Sequence, residues 1–498
     1  PAEETVTEQP KEADVHEPVQ AEPEEETETE TAAVGIVETE EEDEDAETVR
    51  KPIVPLLILY IIFAIPLAAS SILQQLFNSV DTAVVGRFAS SQALAAVGSN
   101  SSLISLMINL FIGISLGSNV VIAHYIGQKS EDNIHAAVHT AILVAIISGF
   151  FVMILGQFIA RPVLLLMGTP EDVIELAVLY LRIYLIGMPF IMLYNFGSAI
   201  LRAVGDTRRP LYFLMIAGVL NVCLNLLFVI VFGWGVAGVA VATVISQCVS
   251  TALIVRCLVK SDTMCRLNLR KLCIKKDALK DIARIGLPAG LQGCVFSISN
   301  VLIQSSINSF GSLAMAGSTA ASNIEGFVYV SMNAFYQAAI SFTSQNMGGR
   351  RYSRINRILM VCLSCAAVVG LVMGVGAYLG GDILLRLYTS DPQVMAYGII
   401  RLSLVSSTYF LCGIMDVFCG SLRGMGYAIM PMIVSLAGAC GLRIVWICTI
   451  FQFEHTLQML YLCYAVSWIL TALAHCICFL VMRRRWPKQD EEPALQSA

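Results

Sequence analysis

The sequence predicts an all-α membrane protein of about twelve transmembrane helices, built as two six-helix lobes related by an internal repeat. Two features of composition and one of order carry that prediction. Hydrophobic residues make up 56% of the chain and charged residues 14%, against about a quarter charged in a soluble domain. Apolar runs of roughly 17–25 residues recur from end to end, each long enough to cross a bilayer as a helix. They are continuous rather than alternating, which excludes a membrane β-barrel. Finally, LRAVGDTRRP at 201–210 returns as LRGMGYAIMP at 422–431, 221 positions later.

Residues 1–50 hold 20 Asp and Glu against Lys11 and Arg50, a net charge of −18; the remainder holds 29 Lys and Arg against 18 Asp and Glu, a net +11. This tail is rich in Glu, Thr, Pro and Val and has no aromatic residue. It cannot bury enough apolar surface to offset chain entropy, so disorder is expected. It lacks the basic segment followed by an apolar run that marks a secretory signal. The fifteen cysteines are scattered through apolar runs and read as small buried residues rather than a disulfide framework.

Hydropathy places a first lobe over 51–260, with spans near 56–86, 94–126, 136–160, 172–202, 210–232 and 236–259. A polar, basic connector follows at 261–281. The second lobe covers 282–486, with spans near 283–310, 316–347, 357–380, 393–423, 429–452 and 457–482, and a short tail covers 487–498. One set of loops carries Lys129, Arg202, Arg208, Arg209, the basic residues of the connector, Arg350, Arg351, Arg354, Arg423 and Arg483–Arg485. The alternate set holds little beyond Arg87, Arg161 and Arg386. The positive-inside rule then puts both termini and the connector in the cytoplasm of a multi-pass cell-membrane protein.

The repeat supplies further pairs. Gly127 matches Gly348, His124 matches Gln345 and Asn195 matches Asp416 at an offset of 221, while Pro66 matches Pro288 and Asn78 matches Asn300 at 222. One single-residue insertion reconciles the two registers. Two six-span halves of the same orientation are parallel repeats, whose binding sites tend to lie near the bilayer midplane.

Charges inside apolar spans mark candidate sites, because each is costly in hydrocarbon. Asp81 sits in the first span among Gln74, Gln75, Asn78, Ser79 and Thr82; it reads either as an ion-path residue or as a solvated helix end. In the second lobe Glu325, Asp416 and Arg443 lie well inside spans, and Arg443 falls near the counterpart of Asn221. They suit a transport role or a structural ion pair, with Arg443 neutralising Glu325 or Asp416. His124 and Gln345 are candidate cavity residues. So are Tyr329, Met332, Phe335 and Tyr336, as an adaptable apolar wall. His135 and His139 are four apart but lack carboxylate partners for a metal.

VDTAVVGRF after an apolar span, the paired LRAVGD and LRGMGY, GVAGVAVAT at 235–243 and the GLP opening the seventh span resemble the multidrug and toxic compound extrusion (MATE) family over about residues 51–486. The resemblance implies two lobes around a central cavity that opens alternately to each side. It implies export of organic, often cationic, small molecules in exchange for Na⁺ or H⁺, by a monomer in the lipid bilayer with no cofactor and no nucleic-acid partner. It also implies a cation site of Asp81, Asn221, Asn225 and Thr243. Some relatives carry Asp where Asn225 stands and a glutamate where Phe296 stands, which leaves the ion identity open. The two asparagines equally suit interhelical hydrogen bonding. Flipping of a lipid-linked saccharide is the alternative transport reading. The sequence has no P-loop, no Gly-x-Ser-x-Gly elbow and no His/Glu metal motif, which argues against an enzyme. The two-lobe repeat with buried acids argues against a fixed channel.

Overall fold

The computed structural model describes residues 53–88, 91–167, 169, 171–389, 391–487 and 490. The expected acidic tail and most of the stretch after 487 lie outside the described residues. The first lobe comprises Ile53–Phe88, Ser91–Gly127, Glu131–Leu166, a bent pair Glu171–Ile186 and Met188–Val204, Arg208–Leu226 running into a π-helical turn at Leu227–Val231, and Gly235–Lys260. The second lobe comprises Lys276–Asn308, Ser312–Gly348, Tyr352–Leu379, a bent span from Pro392 to Gly424 with a π turn at Leu402–Ser406, a broken span from Ile429 to Phe453 with a π turn at Leu436–Gly441, and Leu457–Arg483. These twelve spans are numbered in that order below.

Eleven of them are long and apolar enough to cross a membrane, counting each bent pair as one. The eighth, Ser312–Gly348, is 37 residues long but carries Ser, Thr, Asn and Gln along its length. The reason is its position: it packs against the first, second, ninth and tenth spans, so much of its polar surface meets protein rather than lipid. The third span does the opposite, turning Phe151, Ile154, Phe158 and Leu166 outward, as a lipid-facing helix must.

The repeat extends to backbone conformation. The fourth span bends by 47° at Gly187 and the tenth by 40° at Ser407–Thr408, 221 positions on. Gly205 and Gly426 end these spans at φ +98° and +88°, where a side chain is strained and glycine is not. Lys129 and Arg350, also 221 apart, both stand at φ +55°.

The connector is shorter than expected, because the seventh helix begins at Lys276. It is docked, not loose. Cys265 and Leu267 are buried, His139 Nε2 lies 3.2 Å from both the backbone N and O of Asn268, and Lys275 N donates to Thr140 Oγ1 at 3.1 Å. His139 is thereby a connector anchor. Of the cysteines, Cys223, Cys248, Cys273 and Cys448 are exposed rather than buried, and Cys362 and Cys365, one turn apart in the ninth span, are free thiols.

The lobes interlock through the first, second, seventh and eighth spans. The seventh packs far more closely on the second than on its own lobe. The largest buried apolar cluster accordingly joins Leu116, Val120 and Ile142 to Ile282, Ile285 and Ile340. Four glycines allow the approach. A Cβ on Gly113 would stand 2.1 Å from Gly290 N, and one on Gly117 2.4 Å from Ile282 O. One on Gly127 would stand 2.0 Å from Gln345 O, and one on Gly348 1.9 Å from His124 O. Small residues at such crossings let backbones meet where no hydrophobic force drives helices together.

Candidate ion and substrate sites

In the fifth span Asn221 and Asn225 lie one turn apart and so share a face; both are buried. Asn225 Nδ2 donates to Asp81 Oδ1 of the first span and to Asn221 Oδ1 at 3.1 Å. Asn221 Nδ2 stands 3.5 Å from both Thr243 Oγ1 and Ser246 Oγ of the sixth span. The structure therefore gathers Asp81, Asn221, Asn225 and Thr243 into one linked cluster and adds Ser246. The π turn begins two residues beyond Asn225, a helix irregularity frequent at functional sites. Asn225 Oδ1 is buried with no hydrogen-bond partner. A carboxylate, a free amide oxygen and hydroxyls are the oxygen donors that a hard cation takes, and the carboxylate alone can take a proton. The residues present thus fit either coupling ion.

The second lobe differs from the expected pairing. Glu325 is neutralised by Arg401, not by Arg443. Arg401 Nε donates to both carboxylate oxygens at 3.1 and 3.2 Å, Nη2 to Oε2 at 2.8 Å, and Nη1 to Ser318 Oγ at 2.8 Å. Both side chains are almost fully buried. Arg443 instead donates Nε to Ser467 Oγ at 2.9 Å and lies over the rings of Tyr464 and Trp468, 4.3 and 5.7 Å from their centroids. Among the described residues no carboxylate pairs with it. Asp416 is half-buried on the tenth span. Arg423, read above as a loop charge, is 4% exposed and donates to Tyr336 Oη and to Gln292 Oε1. Helix–helix packing draws it inward from the end of its span.

The remaining candidates separate. Asn78 and Asn300 are exposed on the first and seventh spans. Asn195 Nδ2 donates to its own helix at Ile191 O, 2.9 Å. His124 lies 3.1 Å from Gln128 and, like Gln345, lines the glycine seam. Of the four expected wall residues only Tyr329 is substantially exposed, at 38%; Met332, Phe335 and Tyr336 are packed.

One stripe of the eighth span passes from exposed to buried along its length. Gly326 faces Gln75 of the first span, and helical spacing aligns it with Thr319, Asn323, Val330, Asn333, Gln337, Ser341, Ser344 and Gly348. Thr319 and Asn323 are exposed, Val330, Asn333 and Gln337 half-buried, and Ser341, Ser344 and Gly348 buried. At the buried end Ser341 Oγ donates to Asn119 Oδ1 at 3.1 Å, Ser344 Oγ to Val120 O, and Tyr125 Oη to Asp281 Oδ2 at 2.9 Å. The lobes are thus hydrogen-bonded to each other at the end that bears the connector, while the stripe is exposed toward its other end.

This architecture agrees with comparison to known proteins. The MatE family profile matches residues 66–227 and 288–448, most of both lobes. The chain belongs to the MatE family. Its relatives in this transporter family include the probable multidrug resistance protein YoeA of Bacillus subtilis, 28% identical over 77% of this chain and 84% of that protein. The probable multidrug resistance protein NorM of Thermotoga maritima is 25% identical over 75% and 81%. A solved MATE transporter in an outward-facing conformation aligns with a TM-score of 0.81 at 23% identity, covering 88% of this chain and 99% of that one. As a MatE protein the chain is a multi-pass membrane transporter with twelve helices in two lobes.

Proposed function

We propose that this MatE protein is a secondary active exporter of organic, cationic or amphipathic compounds, driven by H⁺ or Na⁺ antiport with alternating access. The observation that carries the reading is the linked cluster of Asp81, Asn225, Asn221 and Thr243 inside a lobe that is hydrogen-bonded to its partner at one end. The names of the relatives, multidrug resistance proteins among them, favour organic substrates. The basic loops favour a cytoplasmic placement of both termini and of the connector, with lobes over 51–260 and 282–486. The hydrogen-bonded end is then cytoplasmic and the cavity faces outward.

In this scheme Asp81 carries the coupling ion. Asn225 holds the carboxylate in place through its amide, Asn221 accepts from Asn225, and Thr243 and Ser246 hold Asn221. Loading Asp81 with a cation or proton cancels its charge and weakens its hold on Asn225, and the first span is then free to repack toward the eighth. Substrate lies along the polar stripe of the eighth span, beside Asn78, Asn300 and Tyr329. A membrane potential supplies about 2.3 kcal/mol per charge per 100 mV, which an ion-binding carboxylate can convert into substrate accumulation. The test is flux of a fluorescent organic cation in proteoliposomes, with pH and Na⁺ gradients imposed independently. One of the two gradients should drive accumulation; equilibration that ignores both would overturn antiport.

A further inference from the structure

Two of the π turns fix the register of the repeat around Arg443. Widening one α-helical turn to a π turn accommodates one additional residue. The eleventh span widens at Leu436–Gly441, ahead of Arg443, and the fifth at Leu227–Val231, behind Asn225. The offset between lobes is 222 in the first span and 221 from His124 to Gly205; the widening ahead of Arg443 makes it 222 for the stretch from Asn221 to Asn225, and the one behind Asn225 returns it to 221. In that register Arg443 is the counterpart of Asn221, Tyr464 of Thr243 and Ser467 of Ser246.

The contacts follow the register. Asn221 Nδ2 approaches Thr243 Oγ1 and Ser246 Oγ; Arg443 Nε donates to Ser467 Oγ and its guanidinium lies over Tyr464. The other two members of the first-lobe cluster lose their oxygens. Asp81 is replaced by Ile303, which is 1% exposed, and Asn225 by Ile447, packed at the edge of an apolar cluster. One lobe holds an intramembrane carboxylate without a cationic partner among the described residues, and the other holds a guanidinium without an anionic one. Arg401, whose guanidinium also lies over Tyr464, is already neutralised by Glu325.

We propose that Arg443 is a tethered cation that permanently fills the second lobe's counterpart of the first-lobe ion site, leaving ion coupling to the first lobe. The inference rests on the role proposed above for Asp81. The guanidinium is held covalently by the chain, so the cation at this position does not exchange. The Tyr464 and Trp468 faces and the Ser467 hydroxyl do what the oxygen cluster does in the first lobe, because ring faces attract a desolvated cation.

The full chain, purified in detergent, tests this by chemical rescue. Arg443→Ala should melt below wild type, and millimolar guanidinium chloride should raise its melting temperature saturably by about 2 °C or more. Choline chloride at equal ionic strength should not, and wild type should respond to neither. An Arg443→Ala protein indifferent to guanidinium overturns the proposal. If that variant gives no folded protein, Arg443→Lys and Arg443→Met decide, since both keep the stem and one keeps the charge. Lys should melt near wild type and Met below it; equal melting would make Arg443 a packing residue. Gradient-driven flux of Asp81→Asn separates the two readings. Normal flux in that variant removes the functional reading whatever Arg443 does. Lost flux with no guanidinium response removes this inference alone.

Discussion

Removing either partner of the Arg401–Glu325 pair should be among the most damaging single substitutions in the second lobe. Three donor–acceptor contacts of 2.8–3.2 Å link the two side chains, Ser318 satisfies a further guanidinium N–H, and Tyr461 and Tyr464 flank the cation. With side chains 7% and 3% exposed, water cannot stand in for a missing partner. Breaking such a pair typically costs about 3–5 kcal/mol, because the survivor is an uncompensated buried charge. Arg401→Met and Glu325→Gln should each lose about that much. The double variant buries no charge, so it should lose less than the sum of the two, and an apolar replacement of a buried pair can come out near neutral. Melting temperatures in detergent across the four proteins measure the coupling. The parallel cycle with Arg443→Met and Glu325→Gln should be additive. Additive losses in the Arg401 cycle, or strong coupling in the Arg443 cycle, would refute the assignment of partners.

Gly290→Val should force the seam open, since even a Cβ there would stand 2.4 Å from the backbone oxygen of Leu110. In a background with the native cysteines replaced, a reporter in Ser341→Cys should become reactive to a soluble thiol reagent and transport should fall at least tenfold; an unreactive reporter would mean the seam tolerates the change. Gly205→Ala and Gly426→Ala meet no atoms within 4 Å, so each should cost about 1–2 kcal/mol of pure backbone strain, read as similar drops in melting temperature. A large inequality between them would mean the two turns are not equivalent.

The fold was legible in the chain because hydropathy, loop charge and the LRxxG repeat all report the same topology. The eighth span tested that reasoning: its Ser, Thr, Asn and Gln weaken the apolar signal, yet the alternation of loops and the match of Gly127 to Gly348 required a span there. The first-lobe cluster was legible through its motifs, except Ser246, whose hydroxyl is indistinguishable in sequence from those that bond only their own helix. In the second lobe the partner of Glu325 was misread. Arg401 stands inside the apolar run IIRLSLV, and an intramembrane arginine is signal enough to seek an acid partner. The pairing depends on which face the eighth and tenth spans turn to each other, and π turns shift that face by one residue. The seventh span's early start and the burial of Arg423 were missed for another reason: hydropathy cannot separate a charge in a loop from one hydrogen-bonded at a helix end.

The most direct measurement of the central claim is Asp81→Asn in proteoliposomes, read two ways. The substitution preserves size and an oxygen acceptor facing Asn225 while removing the charge. It should retain exchange of labelled for unlabelled organic cation in the absence of gradients and lose accumulation driven by the H⁺ or Na⁺ gradient that energises wild type. An Asp81→Asn protein that concentrates the probe as well as wild type would contradict the account.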